Sequence, residues 1–266
     1  MGVTVGRTLA AAGHRVRWLA EGRSDATRQR AETAGFQRCD CLGALLDGAD
    51  TVLSVCPPAA AMDVAERVAD ADFAGTYLDA NAVSPDTARR IESLFGERLV
   101  DGGIVGPPAE RPGTTRLYLS GPRARDLAGW FEAGPLTAVA LAAPAGAASA
   151  LKMCYAAYTK GTTALLLAVR ALAGAEGVAE ALLDEWAISQ PALAERSESA
   201  ARSSAGKAWR FVGEMREIAD TFEAAGLPGG FHRAAADVYQ RMAPLKDRDA
   251  ALNEVLSRLL SRESGG

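Results

Sequence analysis

The sequence has few cysteine and histidine side chains, which limits the chemistry expected of it. Among its 266 residues are four cysteines and two histidines. Cys39 and Cys41 are separated by one residue and so lack the two-residue spacer of a zinc or redox pair. We therefore expect no metal site, and we expect reduced thiols in a cytoplasmic protein. The other members of these residue types are scattered: Cys56, Cys154, His14 and His232.

Long apolar runs and excess positive charge are also missing. The most apolar stretches, 136–151 and 161–175, are interrupted by Pro144 and Arg170, so neither supplies the uncharged run of about 18 residues that a membrane span needs. The first residues lack the basic and apolar regions of a signal peptide. A formal net charge of -4 and a pI near 5.4 indicate neither a nucleic-acid nor a membrane partner.

Short apolar segments alternate with helical patterns in the first half of the chain. Helical patterns at 25–34 and 58–69 separate the first of these segments, and this alternation predicts a parallel sheet with crossover helices. Six segments have the length and composition of strands: 14–20, 51–56, 76–80, 98–103, 115–120 and 137–142.

After Pro144 the sequence becomes helical. Residues 146–177 are rich in Ala and Leu without a proline and predict one long helix. Further helical patterns cover 178–188, about 205–225 and 230–260, the last with a break. We therefore predict an α/β domain over 1–143 and an all-α domain over 144–266, with a disordered tail at 263–266.

The first residues are typical of the helix in a dinucleotide-binding unit. Such a unit has a strand, a turn with three glycines, and a helix whose N-terminus faces the pyrophosphate. Gly2 occupies the place of the third glycine, and Gly13 is expected to cap the helix C-terminus. The strand and the first two glycines are not in the sequence. Alternatively, Gly2 simply follows a start methionine.

Four segments resemble the 6-phosphogluconate dehydrogenase and β-hydroxyacid dehydrogenase superfamily, and more closely a poorly characterised branch with a divergent helical C-terminal domain. Segment 51–68 is similar to the strand and hydrophobic-Pro turn that covers the cofactor. Segment 77–91 is similar to the family's D-x-S-T-x-x-P motif, with the Asp and the Pro matching. Segment 100–121 is similar to its substrate loop, D-A-P-V-S-G-G. Segment 146–154, GAASALKMC, is similar to G-x-G-x-x-x-K-x-x-N-N, which begins the helix of the catalytic lysine.

This resemblance implies a Rossmann-like N-terminal domain and an all-α C-terminal domain. It places a strand and two glycines before Gly2, and we expect them to be encoded upstream of Met1 or to have been cut away. In a doubly wound sheet that first strand is central, so its loss exposes the backbone groups of two neighbours. The resemblance also implies a small-molecule substrate between the domains, and a homodimer in which a partner subunit buries the long apolar helix.

NADP or NAD is the cofactor that the resemblance implies. Ala20 stands where the family has its acidic ribose ligand, and Glu21, Arg23 and Ser24 follow. A guanidinium and a hydroxyl suit a 2′-phosphate, so we favour NADP, although Glu21 favours NAD and Arg23 is alternatively a solvated loop residue. The remaining expected cofactor contacts are Gly2, Cys56, Pro57, Pro58 and Asn81, the last of which stands in the Ser place of its motif.

Lys152 is the residue that matches the family's general acid/base. In the family this lysine exchanges a proton with the substrate hydroxyl while hydride passes to or from the nicotinamide. Apolar neighbours are expected to lower the pKa of Lys152 toward a useful range; alternatively it is a surface lysine. The family's asparagine after the lysine is Ala156 here, so we expect Tyr155 and Thr159, on the same helix face, to supply hydrogen bonds in its place.

The expected substrate contacts depart from the family's pattern. Val105 and Pro107 replace the serine and the second glycine of the substrate loop and flank Gly106, so the substrate is expected to be bulkier or less acidic than a small hydroxy acid. Lys160, about 80° round the helix from Lys152, is a secondary candidate for charge near the site. His232 is either a substrate contact or a packed residue of the last helices.

Three hypotheses of function follow. The leading one is a dehydrogenase or reductase that uses NADP or NAD and acts on a CH–OH group. An imine reductase shares the architecture, but those enzymes often lack the lysine. The third is a catalytically silent homologue, a dimeric binding module without a dinucleotide.

Overall fold

The computed structural model describes residues 1–261, which form two compact units, Met1–Met153 and the residues from Cys154 onward. The division falls within the long helix Ala147–Ala175, and the predicted boundary at 143/144 lies just before that helix. The predicted tail at 263–266 is outside the described residues. No helix of residues 1–261 combines the length and the apolar character that crossing a bilayer requires.

The first unit contains all the strands of the described chain. They are β1 Arg17–Leu19, β2 Gln37–Cys39, β3 Thr51–Ser54, β4 Thr76–Asp79, β5 Leu99–Val105, β6 Thr115–Ser120 and β7 Leu136–Ala140. Its helices are α1 Gly2–Ala11, α2 Asp25–Thr33, α3 Leu42–Leu46, α4 Ala61–Ala69, α5 Pro85–Phe95, α6 Ala124–Ala128 and the start of α7, Ala147–Ala175. All six predicted strands are confirmed.

Five strands form one mixed sheet in the order β3-β4-β5-β6-β7, and β1 pairs with β2 in a separate two-stranded sheet. The predicted parallel pairing is confirmed for β3–β4, β4–β5 and β6–β7. Strand β1 is also parallel to its partner β2, a strand that the sequence did not predict. The predicted parallel pairing is wrong for β5–β6, which is antiparallel. The reason is the short connection 106–114, since a parallel pair needs a crossover of a dozen or more residues.

Side chains of the five-stranded sheet alternate between two apolar clusters. On one face Val52, Tyr77 and Leu99 pack with residues of α4 and α5. On the other face Leu78, Val100, Leu117 and Leu119 pack with Val5 of α1 and with residues of α6. Because both faces are covered, β5 is buried along its whole length.

The second unit is helical throughout. After α7 come α8 Ala179–Ser189, α9 Leu193–Ser204, α10 Ala208–Ala224, α11 Gly230–Met242 and α12 Leu252–Leu260. These confirm the predicted helices, including the break in 230–260. Helices α10 and α11 bury several large side chains of this unit, among them Met215, Ile218 and Tyr239.

The sequence-based prediction named neither β2 nor α9, and it did not name the helices α3, α5 and α6 either. Strand β2 has three residues, two of them exposed, and so lacks the apolar alternation that identifies a strand. Helix α9 is rich in Ser and Glu, so its sequence shows no apolar stripe. Its narrow buried face consists of small residues: Ser197, Ala200, Ala201 and Ser204. Gly13, the predicted cap, follows α1 with a φ of 88°, which confirms the end of that helix.

Candidate functional site

A row of four buried polar side chains crosses the five-stranded sheet. Ser54 on β3 is paired in register with Asp79 on β4, Asp79 with Asp101 on β5, and Asp101 with Ser120 on β6. Residues paired in register point to the same face of a sheet. None of the four is more than 4% exposed. Because burying polar groups is costly without partners, this polar row indicates a functional region of the sheet.

Asp101 makes the most hydrogen bonds in the polar row. Its Oδ2 accepts from Ser120 Oγ at 2.8 Å and from the backbone amides of Gly146 and Ser149 at 2.9 and 3.0 Å. Its Oδ1 accepts from Ser149 Oγ at 2.5 Å. The carboxylate therefore holds the first turn of α7, where the helix amides have no partner within the helix.

Asp79, the neighbouring carboxyl of the polar row, is much less well satisfied. Its Oδ1 accepts from the Asn81 amide at 2.8 Å, but its Oδ2 is buried and has no hydrogen-bond partner among the described residues. Burial, with a smaller effect of the Asp101 charge, raises the pKa of Asp79 to about 7. The hydroxyl of Tyr77, two residues earlier, is also buried without a partner in the described chain.

Asn81 joins the ends of β3 and β4. Its Oδ1 accepts from the Cys56 amide at 2.6 Å, and its Nδ2 donates to Ser54 Oγ at 2.9 Å. Burial raises the pKa of the Cys56 thiol, an effect that Ser54 and the positive charge of Arg23 oppose. Both polar ends of the Asn81 amide are thus engaged in fixing the turn after β3.

Two further predicted cofactor contacts lie in that turn. Pro57 and Pro58 follow Cys56, and a 3₁₀ turn runs over Pro58–Ala60 into α4. Pro58 stands at the start of this turn, where its missing amide costs no hydrogen bond.

Lys152 lies near the polar row, in the second turn of α7. A Cβ placed on Gly103 would be 3.1 Å from the Lys152 Cβ and 2.6 Å from the Ala148 carbonyl oxygen, so the helix lies directly on β5. Gly103 is two residues past Asp101, the register partner of Asp79. Lys152 is therefore at the carboxyl end of β4, the end where α/β sheets bind ligands.

The environment of Lys152 matches the expected acid/base group. The side chain is mostly buried, and burial alone lowers its pKa to about 8. No ion pair among the described residues includes it. An uncompensated lysine that titrates near neutral pH is a candidate for proton transfer.

The predicted contacts with the pyrophosphate and with the adenosine ribose lie near the ends of β3 and β1, respectively. Gly2 begins α1, and a Cβ on it would be 3.6 Å from Val55, just past β3. Arg23 and Ser24 follow β1; Ser24 precedes α2, and its Oγ lies 3.2 Å from Thr27 Oγ1. The Glu21 carboxylate pairs with Arg67 at 3.3 Å on the surface.

The substrate-loop residues begin the connection from β5 to β6. Val105 is the buried last residue of β5, and Gly106 follows with positive φ. The Pro107 carbonyl accepts from Thr115 Oγ1 at 2.7 Å, which ties this connection to the start of β6.

Four predicted site residues lie in the helical unit. Tyr155 is 46% exposed, and the Thr159 hydroxyl donates to the Tyr155 carbonyl at 3.0 Å. Lys160 forms an ion pair with Glu214, and its Nζ lies 4.5 Å from the centre of the Phe211 ring. His232 is buried between Phe222 and Phe231, its Nδ1 has no partner among the described residues, and burial lowers its pKa.

The donor set at the carboxyl edge of the sheet fits the phosphate groups of a dinucleotide. The N-terminus of α1, the guanidinium of Arg23 and the hydroxyl of Ser24 can all donate hydrogen bonds to phosphate oxygens. The turn 56–58 directly follows Val55, which lies beside Gly2 at the start of α1. Within residues 1–261 no cluster of three or more His, Cys, Asp or Glu side chains could hold a metal ion.

Sequence reasoning missed Asp101, Ser120, Ser149 and Gly103 as parts of the site. Asp101 and Ser149 are 48 residues apart in sequence and meet only because β5 lies under α7. The segment around Asp101 was found by resemblance, but no local pattern assigns its carboxylate to a helix start.

Comparison with known families and curated proteins gives a partial match. A family model described as a domain of unknown function, DUF1932, matches residues 173–242. An uncharacterized 28.5 kDa protein in the 7S RNA 5′ region of Methanothermus fervidus is 31% identical over 170 residues. That match covers 64% of this chain and 66% of the relative, slightly less than two thirds of its length.

Solved structures match over nearly the whole chain. A conserved protein of unknown function, described as structurally similar to 3-hydroxyacid dehydrogenases, is 27% identical with a TM-score of 0.67, over 91% of this chain and 93% of its own. Mycobacterium tuberculosis 3-hydroxyisobutyrate dehydrogenase is 19% identical with a TM-score of 0.69, over 98% and 96%. A reductive aminase from Aspergillus terreus, solved with NADPH and ethyl levulinate, is 17% identical with a TM-score of 0.57, over 97% and 94%. The last two show the shared fold.

Proposed function

The chain belongs to the superfamily of the 3-hydroxyacid dehydrogenases, and from this premise we propose that it is an NAD(P)-dependent oxidoreductase that interconverts a hydroxyl and a carbonyl group of a small molecule. The observation that carries the proposal is the mostly buried Lys152, whose pKa burial lowers to about 8, at the carboxyl end of β4.

Lys152 is the proposed proton donor and acceptor. In the reducing direction the ammonium gives a proton to the oxygen of the substrate carbonyl, and in the oxidising direction the neutral amine takes the hydroxyl proton. A nicotinamide cofactor, when bound, supplies or accepts the hydride. Because no carboxylate is paired with Lys152 among the described ion pairs, both of its protonation states are accessible near pH 8.

NADP is the proposed cofactor. Arg23 and Ser24, both near the end of β1, offer a guanidinium and a hydroxyl to a 2′-phosphate. Glu21 would favour NAD, but its carboxylate pairs with Arg67. The pairing supports NADP because it removes a competing acceptor for the ribose hydroxyl. The other proposed cofactor contacts are Gly2, Cys56, Pro57, Pro58 and, through its position at the end of β4, Asn81.

The proposed substrate is less acidic or bulkier than a small hydroxy acid. Val105 and Pro107 place apolar groups in the substrate loop, beside Gly106. Lys160 is neutralised by Glu214, which makes it a poor ligand for a substrate carboxylate. His232 is proposed as a packing residue, because aromatic rings contact it on two sides. We also propose that Tyr155 and Thr159 supply the hydrogen bonds that the family's asparagine makes near the lysine.

A homodimer is the proposed assembly, in the reducing cytoplasm expected from the sequence. Tyr158, Leu165 and Leu172 of α7 are 68%, 50% and 61% exposed. They are seven residues apart and therefore form one apolar stripe along the helix. A second copy of the chain is the proposed partner of this stripe.

The test of function combines cofactor binding with turnover. NADPH and NADH are titrated by fluorescence, and turnover is followed on β-hydroxy acids with apolar substituents, simple alcohols, the matching carbonyls and one cyclic imine. We expect NADPH to bind. We expect Lys152→Met to bind it equally well while turnover of the hydroxyl substrates falls at least about a hundredfold.

Lys207→Met is the matched control, since Lys207 is exposed in the helical unit, and it should retain activity. Failure of both nucleotides to bind would favour the silent homologue. Imine reduction that survives Lys152→Met, without alcohol oxidation in the parent chain, would favour an imine reductase.

A further inference from the structure

Every backbone amide at the start of α7 has a hydrogen-bond acceptor, and most of these acceptors are side chains of two sheet strands. The first amides of a helix have no partner within the helix. Here the amides of Gly146 and Ser149 donate to Asp101 Oδ2, and that of Ala148 donates to Ser120 Oγ at 3.0 Å. The Ala147 amide donates to the Pro144 carbonyl at 3.3 Å.

The side chains that hold this turn also hold one another. Asp101 and Ser120 face each other on β5 and β6, and Ser120 Oγ donates to the carboxylate while accepting from Ala148. Ser149 Oγ donates to Asp101 Oδ1. Asp101 is 1% exposed, and Ser120 and Ser149 are fully buried. The start of α7 is thus fixed to two adjacent strands through a network without solvent access.

One turn later, the same helix carries Lys152 over β5. The close approach of Ala148 and Lys152 to Gly103 leaves no space for a Cβ on that strand residue. Any displacement of the first turn away from Asp101 would therefore lift Lys152 from Gly103 and expose it to water.

We propose that Asp101 is a positioning residue for Lys152: by capping α7 it keeps the lysine side chain buried against Gly103. Asp101 acts through geometry, because burial is the only cause of the lowered pKa of Lys152, and the Asp101 charge is not among its causes. The inference about burial stands on the structure alone. Its consequence for catalysis rests on the proposed function.

Two replacements of Asp101 separate its hydrogen bonds from its charge. In Asp101→Asn the amide oxygen can take the place of Oδ2, and the NH2 group can donate to Ser149 Oγ, so the cap is kept without the charge. In Asp101→Leu the side chain has the same branching and the same number of heavy atoms, although its methyl groups are larger than the carboxylate oxygens, and the three donors at Oδ2 lose their acceptor. Ser149→Ala removes one of the four bonds and serves as a milder variant if Asp101→Leu does not fold.

Trace acetylation with acetic anhydride at a series of pH values measures the pKa of Lys152 without any substrate. The chain has four lysines, Lys152, Lys160, Lys207 and Lys246, so mass spectrometry of peptides follows each one separately. We expect a midpoint near 8 in the parent chain and in Asp101→Asn. In Asp101→Leu we expect the midpoint to move toward 10.5, which lowers the reactive fraction at pH 8 at least about tenfold. In Ser149→Ala we expect the Lys152 midpoint to lie between the values of the parent chain and Asp101→Leu.

Leu136→Ala is the control for lost stability. Leu136 is buried on β7 in the apolar cluster of the opposite sheet face, so its truncation weakens the unit without contacting α7. The Lys152 midpoint should stay near 8 in this variant. A midpoint that also stays near 8 in Asp101→Leu and Ser149→Ala would overturn the proposal. A midpoint in Asp101→Asn as high as in Asp101→Leu would overturn the geometric account.

An activity measurement on the same variants separates this inference from the proposed function. If the enzyme is active, Asp101→Asn should retain most of kcat, and Ser149→Ala should move the alkaline limb of its pH profile as far as the acetylation midpoint moves. A chain without activity whose Lys152 midpoint still follows Asp101 would keep the inference and reject the function.

Discussion

At the scale of single residues, burial rather than charge pairing determines the chemistry of the site. Lys152 and Asp79 both have their pKa moved toward neutrality, and burial is the largest cause for each. Burial penalises whichever form carries the charge, so it lowers the pKa of a lysine and raises that of a carboxyl. Two groups that titrate near neutral pH are thereby placed in one region of the sheet.

The pH dependence of turnover should report the pKa of Lys152, about 8. In carbonyl reduction the ammonium is the acid, so kcat/KM should fall as the pH rises through about 8. In alcohol oxidation the neutral amine is the base, so kcat/KM should rise over the same range. Initial rates from pH 6 to 10 in both directions measure this. Lys152→Arg should abolish most of the activity and remove the pH dependence near 8 in both directions. If the residual activity still changed near pH 8, that change would belong to a titrating group other than Lys152.

Cofactor preference should depend on Arg23. Because a hydrogen bond to a charged phosphate is worth about 1.5–3 kcal/mol, Arg23→Ala should weaken NADPH binding at least about tenfold and leave NADH binding nearly unchanged. Fluorescence titration of both nucleotides measures the ratio. Arg67→Ala is the opposite control, since it frees the Glu21 carboxylate and should favour NADH. Equal losses for both nucleotides would remove Arg23 from the 2′-phosphate site.

Asp79 should make the protein less stable as the pH rises. Its folded pKa of about 7 lies above the value of 3.8 for an unperturbed Asp, so between these values the folded chain holds a proton that the unfolded chain has lost. The free energy of unfolding should therefore fall from about pH 4 to about pH 7, by up to about 4 kcal/mol, and not change further above that.

Asp79→Asn is expected to remove this fall, because its amide does not titrate and can still accept from Asn81. Urea unfolding at pH 5 and pH 8 measures the difference. Asp184→Asn, at an exposed position of α8, should leave the pH dependence as it is. An identical slope in Asp79→Asn and the parent chain would refute the assignment.

At the scale of elements, the contact between α7 and β5 depends on a glycine. Gly103→Ala would place a Cβ 2.6 Å from the Ala148 carbonyl oxygen, so the helix must shift. We expect a loss of about 1–3 kcal/mol in the free energy of unfolding together with a loss of turnover. Denaturant unfolding and initial rates measure the two effects.

Gly174→Ala is the matched control on α7 itself. A Cβ there has no neighbour within 4 Å, and alanine is the better helix former by about 0.5–1 kcal/mol. Stability should therefore be unchanged or higher. A Gly103→Ala variant as stable and active as the parent chain would show that the close approach is not needed.

At the scale of the whole molecule, the exposed stripe of α7 predicts the assembly. Light scattering should give twice the chain mass of 27.7 kDa. Tyr158→Glu or Leu165→Glu should give the monomer, because a charge in an apolar interface is costly to desolvate. Ile188→Glu, at a residue of α8 that is 81% exposed, should leave the mass unchanged. A parent chain that is monomeric at micromolar concentration would refute the homodimer.

Apolar periodicity determined much of the architecture from the sequence alone. The six predicted strands and the long Ala-rich helix are present in the structure. They could be predicted because short apolar segments and proline-free helical runs are patterns of residues close together in sequence. Lys152 could be selected through the motif around it, and a lowered pKa followed from its apolar neighbours. Short or polar elements such as β2 and α9 could not be predicted from the sequence. Strand pairing and helix packing stabilise them, and their local sequences show no apolar pattern.

Tertiary structure alone decided how the site is held together. Asp101, Ser120 and Ser149 are far apart in sequence and meet because β5, β6 and the start of α7 are adjacent. The unpartnered oxygen of Asp79 and the pairing of Lys160 with Glu214 likewise depend on which elements pack together. A sequence specifies local conformation through short-range sterics and periodicity, whereas burial, and with it the pKa of each buried group, is a property of the assembled fold.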